Sequence, residues 1–143
     1  MVKSTKVMNE HLQQRYRALG LKLTPQRLAI LSYLEGNTRH PSADEVYRAV
    51  LGVFPTMSFA TVYNILEALR EKGFIAELSV DPVKKRFDAD PAPHHHLVCL
   101  SCGKIEDVHQ EIALPALRKH AGGFTVLRSQ IAFYGHCPSC RAA

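Results

Sequence analysis

Apolar residues recur at helical spacing through the first half of this chain, and the period shortens to that of strands in the second half. Met8, Leu12, Tyr16 and Leu19 fall on one stripe, which predicts a first helix over residues 7–20 that stops at Gly20. Thr24-Pro25 opens a second helix, because Thr is a good N-cap and Pro suits the first helical position. Leu28, Leu31 and Leu34 line its inner face before Gly36-Asn37 ends it. Ser42-Ala43-Asp44-Glu45 has capping-box spacing ahead of Val46, Tyr47, Val50, Leu51 and Phe54, and Pro55 closes that third helix. A fourth, over residues 58–73, gathers Val62, Ile65, Leu66 and Leu69 into a narrow arc. Its opposite face shows Ala60, Tyr63, Asn64, Glu67 and Glu71, flanked by Arg70. Residues 74–80 and 84–89, split by Asp81-Pro82, then predict a hairpin.

Asp90-Pro91-Ala92-Pro93 is the linker, since two prolines favour extended chain. Residues 1–89 therefore form one domain and 94–143 a second. In the second, short strands are expected over 96–99 and 104–108, a helix over 111–121 and a strand over 124–133. A segment of about 50 residues is marginal on its own core, so metal and partner burial are expected to help hold it.

Composition narrows the class. The 143 residues are 46% hydrophobic and 22% charged, ordinary for a globular protein. No apolar run approaches the roughly 20 residues a membrane span needs. The start, Met-Val-Lys-Ser-Thr-Lys, lacks a signal peptide's apolar core, so the cytoplasm is the expected compartment. A net charge of +5 points to an anionic partner. Lys3, Lys6, Arg15, Arg17, Lys22 and Arg27 concentrate that charge near the start, where a solvated helix surface is the plain alternative.

Short helices followed by a hairpin suggest a winged helix-turn-helix, with the fourth helix as the reader of a DNA major groove. Tyr63 and Asn64 offer a ring edge and an amide to bases, while Arg70 and the basic first helix neutralise phosphates. An ordinary helical bundle with a polar face fits the same pattern.

Cys99/Cys102 and Cys137/Cys140 are two Cys-x-x-Cys pairs, and they hold every cysteine of the chain. Four thiolates at such spacing supply a closed tetrahedral zinc site. Two disulfides or a thioredoxin-like motif are the alternatives; a redox pair follows a strand and opens a helix, which Gly103 and the near-terminal Arg141 do not fit. A hydrolase or deaminase needs an open zinc position and a general acid/base Glu in a His-x-Glu arrangement, whereas His95 follows His94 here, so an enzyme is not expected. His94 and His96 lie two apart and share a face on a strand, with Asp88 and Asp107 on flanking strands and His40 in the helical half. Such nitrogen and oxygen donors suit iron, manganese or zinc, although any one His or Asp alone is usually a surface group.

Thr24-Pro25-Gln26-Arg27, His40-Pro41-Ser42-Ala43, Ala60-Thr61-Val62-Tyr63-Asn64, Arg86-Phe87-Asp88, the run from His94 to Lys104 and Cys137-Pro138-Ser139-Cys140 resemble, in order, the motifs of the ferric uptake regulator family. The resemblance spans nearly the whole chain. It implies an α+β protein, a homodimer of winged-helix domains joined to small α+β dimerisation domains, acting on a pseudo-palindromic DNA operator, usually as a repressor. It implies a structural Zn(II) on Cys99, Cys102, Cys137 and Cys140. It implies a regulatory Fe(II) or Mn(II) on His40, Asp88, His94, His96 and Asp107, bridging the two halves. DNA contacts are expected from Arg17, Arg27, Ser58, Ala60, Thr61, Tyr63, Asn64 and Arg70.

Within the family, Asp107 at the last regulatory position and Asn64 after Tyr63 resemble the peroxide-sensing branch, where the iron-sensing branch typically has Glu and Arg. Pro93 stands where a histidine of a further iron-branch site is often found. The peroxide branch implies oxidation of His40 and His94. An iron-availability regulator is the alternative, and a zinc-stapled interaction module without DNA a second. His95, His109 and His120 are expected to be exposed or to sit behind the ligands.

Overall fold

The computed structural model describes residues 2–81, 83–113 and 121–142, with the side chains of residues 2–9 and 121 left aside. The chain divides into two compact units, Met1–Pro91 and Ala92–Ala143.

Unit 1 is four helices and a hairpin: α1 Val2–Ala18, α2 Pro25–Leu34, α3 Ala43–Leu51, α4 Phe59–Glu71, β1 Ala76–Leu78 and β2 Arg86–Asp88. The sequence expectation started α1 late, at Val7. Residues 2–6 contain no Gly or Pro to stop the helix from extending toward the N-terminus. The other starts follow local capping chemistry. Thr24 Oγ1 accepts from the Arg27 N–H at 3.2 Å. Ser42 and Glu45 close a full capping box, and Ser58 Oγ accepts from the Thr61 N–H at 3.1 Å. Each such cap satisfies a backbone donor that the first helical turn leaves over.

α4 ends just as locally. Gly73 takes φ 72°, Phe74 N–H donates to Leu69 C=O at 2.9 Å and Gly73 N–H to Arg70 C=O at 3.0 Å. That is a Schellman motif, and it turns the chain straight into the hairpin. The apolar stripes meet in one core: Leu12 and Tyr16 of α1, Ile30, Leu31 and Leu34 of α2, Val46 and Val50 of α3, Val62, Leu66 and Leu69 of α4, then Phe74, Ile75 and Phe87. β1 and β2 pair antiparallel with Glu77 opposite Phe87, so the strand alternation that buries Phe87 also fixes its neighbours Arg86 and Asp88.

Unit 2 has a three-stranded sheet of order β4-β3-β5, made of β3 His95–Cys99, β4 Ile105–Val108 and β5 Ala132–Gly135, then a 3-10 turn at Ala121–Gly123 and a short α5 at Pro138–Arg141. β4 runs antiparallel to β3 with Asp107 opposite His96; β5 runs parallel to it with Ala132 opposite His96. Two expectations change here. The strand foreseen over 124–133 is confined to Ala132–Gly135, because Phe124 and Leu127 are 76% and 92% exposed and gain no burial from pairing within unit 2. Of the helix foreseen over 111–121, residues 111–113 are not helical and 114–120 lie outside the described residues. Among the described residues no helix is long and apolar enough to cross a membrane.

Candidate metal centres and nucleic-acid interface

The four cysteines converge from the end of β3 and the turn after it and from the start of α5, all unpaired as disulfides and with their sulfurs within 4.8 Å of one another. Cys102 Sγ and Cys137 Sγ stand 3.9 Å apart. Tetrahedral zinc with Zn–S near 2.3 Å requires sulfurs about 3.8 Å apart, so the donor set and its spacing fit Zn(II). The turn is built for it: Gly103, at φ 76°, lets its N–H reach Cys99 C=O at 3.0 Å while Cys99 N–H donates to Lys104 C=O at 2.8 Å. The backbone N–H groups of Cys102 and then Cys137 lower the Cys99 pKa to about 5. Cys140 is pushed up to about 12 by hydrogen bonding with the Cys137, Cys102 and Cys99 sulfurs. A thiol held as thiolate at Cys99 beside one kept protonated at Cys140 is a setting in which a dication can replace the shared proton.

Two half-sites of histidine and carboxylate lie elsewhere, one in each unit. In unit 1, His40 Nε2 faces Asp88 Oδ2 at 3.6 Å, with the side chains 1% and 4% exposed. His40 is the one described non-glycine residue with positive φ, 55°, and it precedes Pro41. Left-handed backbone before a proline is strained, and such strain collects at functional sites.

In unit 2, Asp107 Oδ1 lies 3.1 Å from His94 Nε2 and 3.3 Å from His96 Nε2. His94 lies just before β3 rather than on it, yet its ring and that of His96 come together with centroids 4.6 Å apart. His94 Nδ1 donates to the Ala92 carbonyl at 2.6 Å, because a carbonyl can only accept. That fixes the tautomer and leaves the Nε2 lone pair directed at the Asp107 side, the arrangement metal-binding histidines use. His96 Nδ1 meets the Gln130 amide at 3.3 Å. Nitrogen and oxygen acceptors so gathered, with few protons to share, suit a borderline or hard cation.

Several roles were invisible in the sequence. His95 is buried rather than exposed, and its Nδ1 accepts from the Ile131 N–H at 2.9 Å, tying β3 to the approach to β5. His109 is exposed and stacks on His94 at 5.0 Å; His120 lies outside the described residues. His136 Nδ1 meets Ser101 Oγ at 2.9 Å beside the cysteines.

On α4 the buried stripe is Val62, Ile65, Leu66 and Leu69, which leaves Ser58, Ala60, Tyr63 and Asn64 exposed and Thr61 half-buried. Phe59, absent from the expected contacts, is 44% exposed, stacks on Tyr63 at 6.3 Å and meets Tyr47 edge-on at 5.6 Å. Arg17 is exposed at the end of α1. Arg27 Nη1 donates to the Lys22 carbonyl at 2.6 Å. Arg70 is engaged by Glu67 at 3.0 Å and Glu77 at 3.4 Å, which compensates its charge locally.

A sequence model described as the Ferric uptake regulator family matches residues 18–134. The peroxide operon regulator of Bacillus subtilis (strain 168) is 43% identical over 123 residues, covering 85% of each chain. Among solved structures, the Campylobacter jejuni peroxide stress regulator superposes with a TM-score of 0.67 at 31% identity, over 92% of this chain and 97% of that one. The peroxide-sensing PerR of Streptococcus pyogenes gives 0.52 at 37% identity, over 92% of both. This chain belongs to the ferric uptake regulator family. It has that family's α+β fold and is a metal-dependent, DNA-binding transcriptional regulator.

Proposed function

We propose that this protein represses transcription while its regulatory site holds Fe(II) or Mn(II), and is released from DNA when peroxide destroys that site. The observation that carries the reading is the division of the ligands. His40 and Asp88 lie in one compact unit, His94, His96 and Asp107 in the other, and neither set fills the coordination of iron or manganese. An ion bound by all five has higher affinity for the arrangement in which the units present them together, and differential affinity is what any conformational switch requires. Residues 1–89 then act as the DNA-reading domain, 90–93 as the linker and 94–143 as the dimerisation domain.

Zn(II) on the four cysteines is structural in this reading. It leaves no open position, so the protein's role is regulation rather than turnover. The cytoplasm suits four reduced thiols. A homodimer suits the apolar residues left open on β3 and β5, Leu97, Phe133 and Tyr134, and a sheet whose β5 edge is unpaired among the described residues. Two recognition helices would meet a pseudo-palindrome. Arg17, Arg27, Ser58, Ala60, Thr61, Tyr63, Asn64 and Arg70 are the proposed contacts.

Fe(II) held by these residues would supply the electron that cleaves peroxide's O–O bond, so that one oxygen replaces hydrogen on an imidazole carbon and the other leaves as water. The chain's part is to hold His40 and His94 where the oxidant forms, buried and with Nε2 directed at the site. Adding one oxygen atom to either ring alters its donor geometry permanently. Operator binding with Mn(II) or Fe(II), each with and without peroxide, tests this. Loss of binding with iron plus peroxide alone is expected, with one added oxygen on peptides bearing His40 or His94. Retention of binding under those conditions sinks the peroxide reading in favour of an iron-availability regulator, and no metal-dependent DNA binding at all would leave only a zinc-stapled interaction module.

A further inference from the structure

Arg86 lies on β2 two residues before Asp88, and strand alternation puts the two on one face. Its guanidinium reaches in two directions. Nη1 donates to the His40 carbonyl at 3.2 Å and to the Arg39 carbonyl at 3.5 Å. Nε donates to Asp81 Oδ2 at 3.0 Å. The other oxygen, Asp81 Oδ1, accepts from the Val83 N–H at 2.8 Å and the Lys84 N–H at 3.3 Å, so the same carboxylate closes the turn of the hairpin.

The pair is well shielded, with Arg86 12% and Asp81 11% exposed, unlike the open pairs made by Lys84 and Lys85 on the same hairpin. Two planar charged groups so shielded, joined by one charged hydrogen bond and each tied to further backbone groups, hold position better than a solvated surface pair.

What Arg86 holds is the strained residue. A left-handed non-glycine conformer costs of the order of 1–3 kcal/mol and survives only where its surroundings determine it. Here Arg86 captures the carbonyls of Arg39 and His40, and the next residue of β2, Phe87, donates its N–H to the Pro41 carbonyl at 2.9 Å. The strand that carries Asp88 therefore also sets the backbone that aims His40 at it.

We infer that Arg86 is a positioning residue with two tasks: it holds His40 in register with Asp88 before any ion arrives, and it passes the state of His40 to the hairpin turn bearing Lys84 and Lys85. The first task stands on unit 1 alone; the second rests on the metal reading proposed above. In a winged helix the hairpin turn approaches the DNA backbone, so a shift of the His40 carbonyl reaches, through one guanidinium, the turn and its two lysines, which pair with Glu45 and Glu77 in this structure.

Backbone hydrogen exchange on the zinc-loaded full-length protein tests both tasks. Without Mn(II), Arg86→Gln should speed exchange of the Phe87 amide by about tenfold, as local opening becomes easier, and leave the His96 amide of unit 2 unchanged. With Mn(II), wild type should slow exchange at Val83 and Lys84. Asp81→Asn should abolish that response, because asparagine keeps the Oδ1 acceptor that makes the turn but loses the charged tie to Arg86. Mn(II) affinity should fall about 10- to 100-fold in Arg86→Gln and hold in Asp81→Asn. An unchanged Phe87 amide in Arg86→Gln overturns the clamp, and a wild-type Mn(II) response in Asp81→Asn overturns the relay. Should Arg86→Gln fail to fold, Arg86→Lys, which restores one donor but not the fork, must show intermediate Phe87 protection or the clamp is wrong. A His40→Ala control that binds Mn(II) as wild type does would defeat the five-ligand reading instead, with the Phe87 result still deciding the clamp.

Discussion

Removing the zinc should unfold unit 2 and leave unit 1 standing. Among the described residues the buried apolar side chains of unit 2 are Val98, Cys99 and Ile105. Val98 and Ile105 contribute about 1.5–3 kcal/mol each by burial. Ordering a five-residue strand such as β3 costs about 5–10 kcal/mol in backbone entropy, which already matches them. Structural zinc supplies about 10–16 kcal/mol in comparable small sites, enough to decide the matter. Unit 1 has its own core, from Leu12 through Phe87, and needs no such staple. The perturbation is Cys140→Ser or prolonged chelation, read residue by residue through amide exchange. Cys99 N–H, bonded to Lys104 C=O, and Leu100 N–H, bonded to Gly135 C=O, should lose protection together, while Phe74 N–H, bonded to Leu69 C=O, keeps it. Persistent protection at Cys99 and Leu100 in the zinc-free protein would refute the reasoning, since the sheet would then hold without the ion.

His40→Ala should retain zinc and the dimer but lose metal-dependent operator binding in a gel shift, and normal metal dependence would contradict the divided-ligand reading. Gly73→Ala should lower unit 1 stability by about 1–2 kcal/mol in a denaturant titration, a backbone cost alone, because no atom lies within 4 Å of the added Cβ. Ser58→Ala should cost about 1 kcal/mol as a lost N-cap and weaken DNA affinity with it, measured by melting and by titration of operator. Burial works to raise the Asp81 pKa, but the Val83 N–H, Arg86 and the Lys84 N–H outweigh it and hold it below 3.8. Its depressed folded value means a stabilising contribution that is present above the ordinary carboxylate range and lost as pH falls through the lowered value. Acid unfolding of Asp81→Asn should accordingly be flatter in that range than wild type.

The parts of this fold legible in sequence are those decided by neighbours along the chain. Thr24, Ser42 and Ser58 cap helices through atoms three residues away, and the turn at Gly73 ends one through bonds spanning three and five residues. The cysteines and His94/His96 were legible because ligand spacing is itself local. Arg86 was not, since its acceptors at Arg39 and His40 lie 47 and 46 residues away and are backbone carbonyls that any residue carries. The β5 boundary failed for a different reason: the apolar run from Phe124 to Leu127 resembles a buried strand, yet its large rings and chains are exposed within the chain. Parallel pairing of β3 with β5 across such a connection leaves no periodic trace.

The placement of the proposed regulatory ligands in two compact units has a consequence for descent. Asp107 sits on β4, at an edge of the unit 2 sheet and remote in sequence from α4. On the proposed reading, mutation there retunes which ion or oxidant is answered without disturbing the packing of α4. His40 and Asp88, buried in unit 1, are the costly positions to vary. Lineages that diversify their stimulus while keeping their promoters should therefore accumulate substitutions around β4 first, and a family of sensors can radiate from one reader.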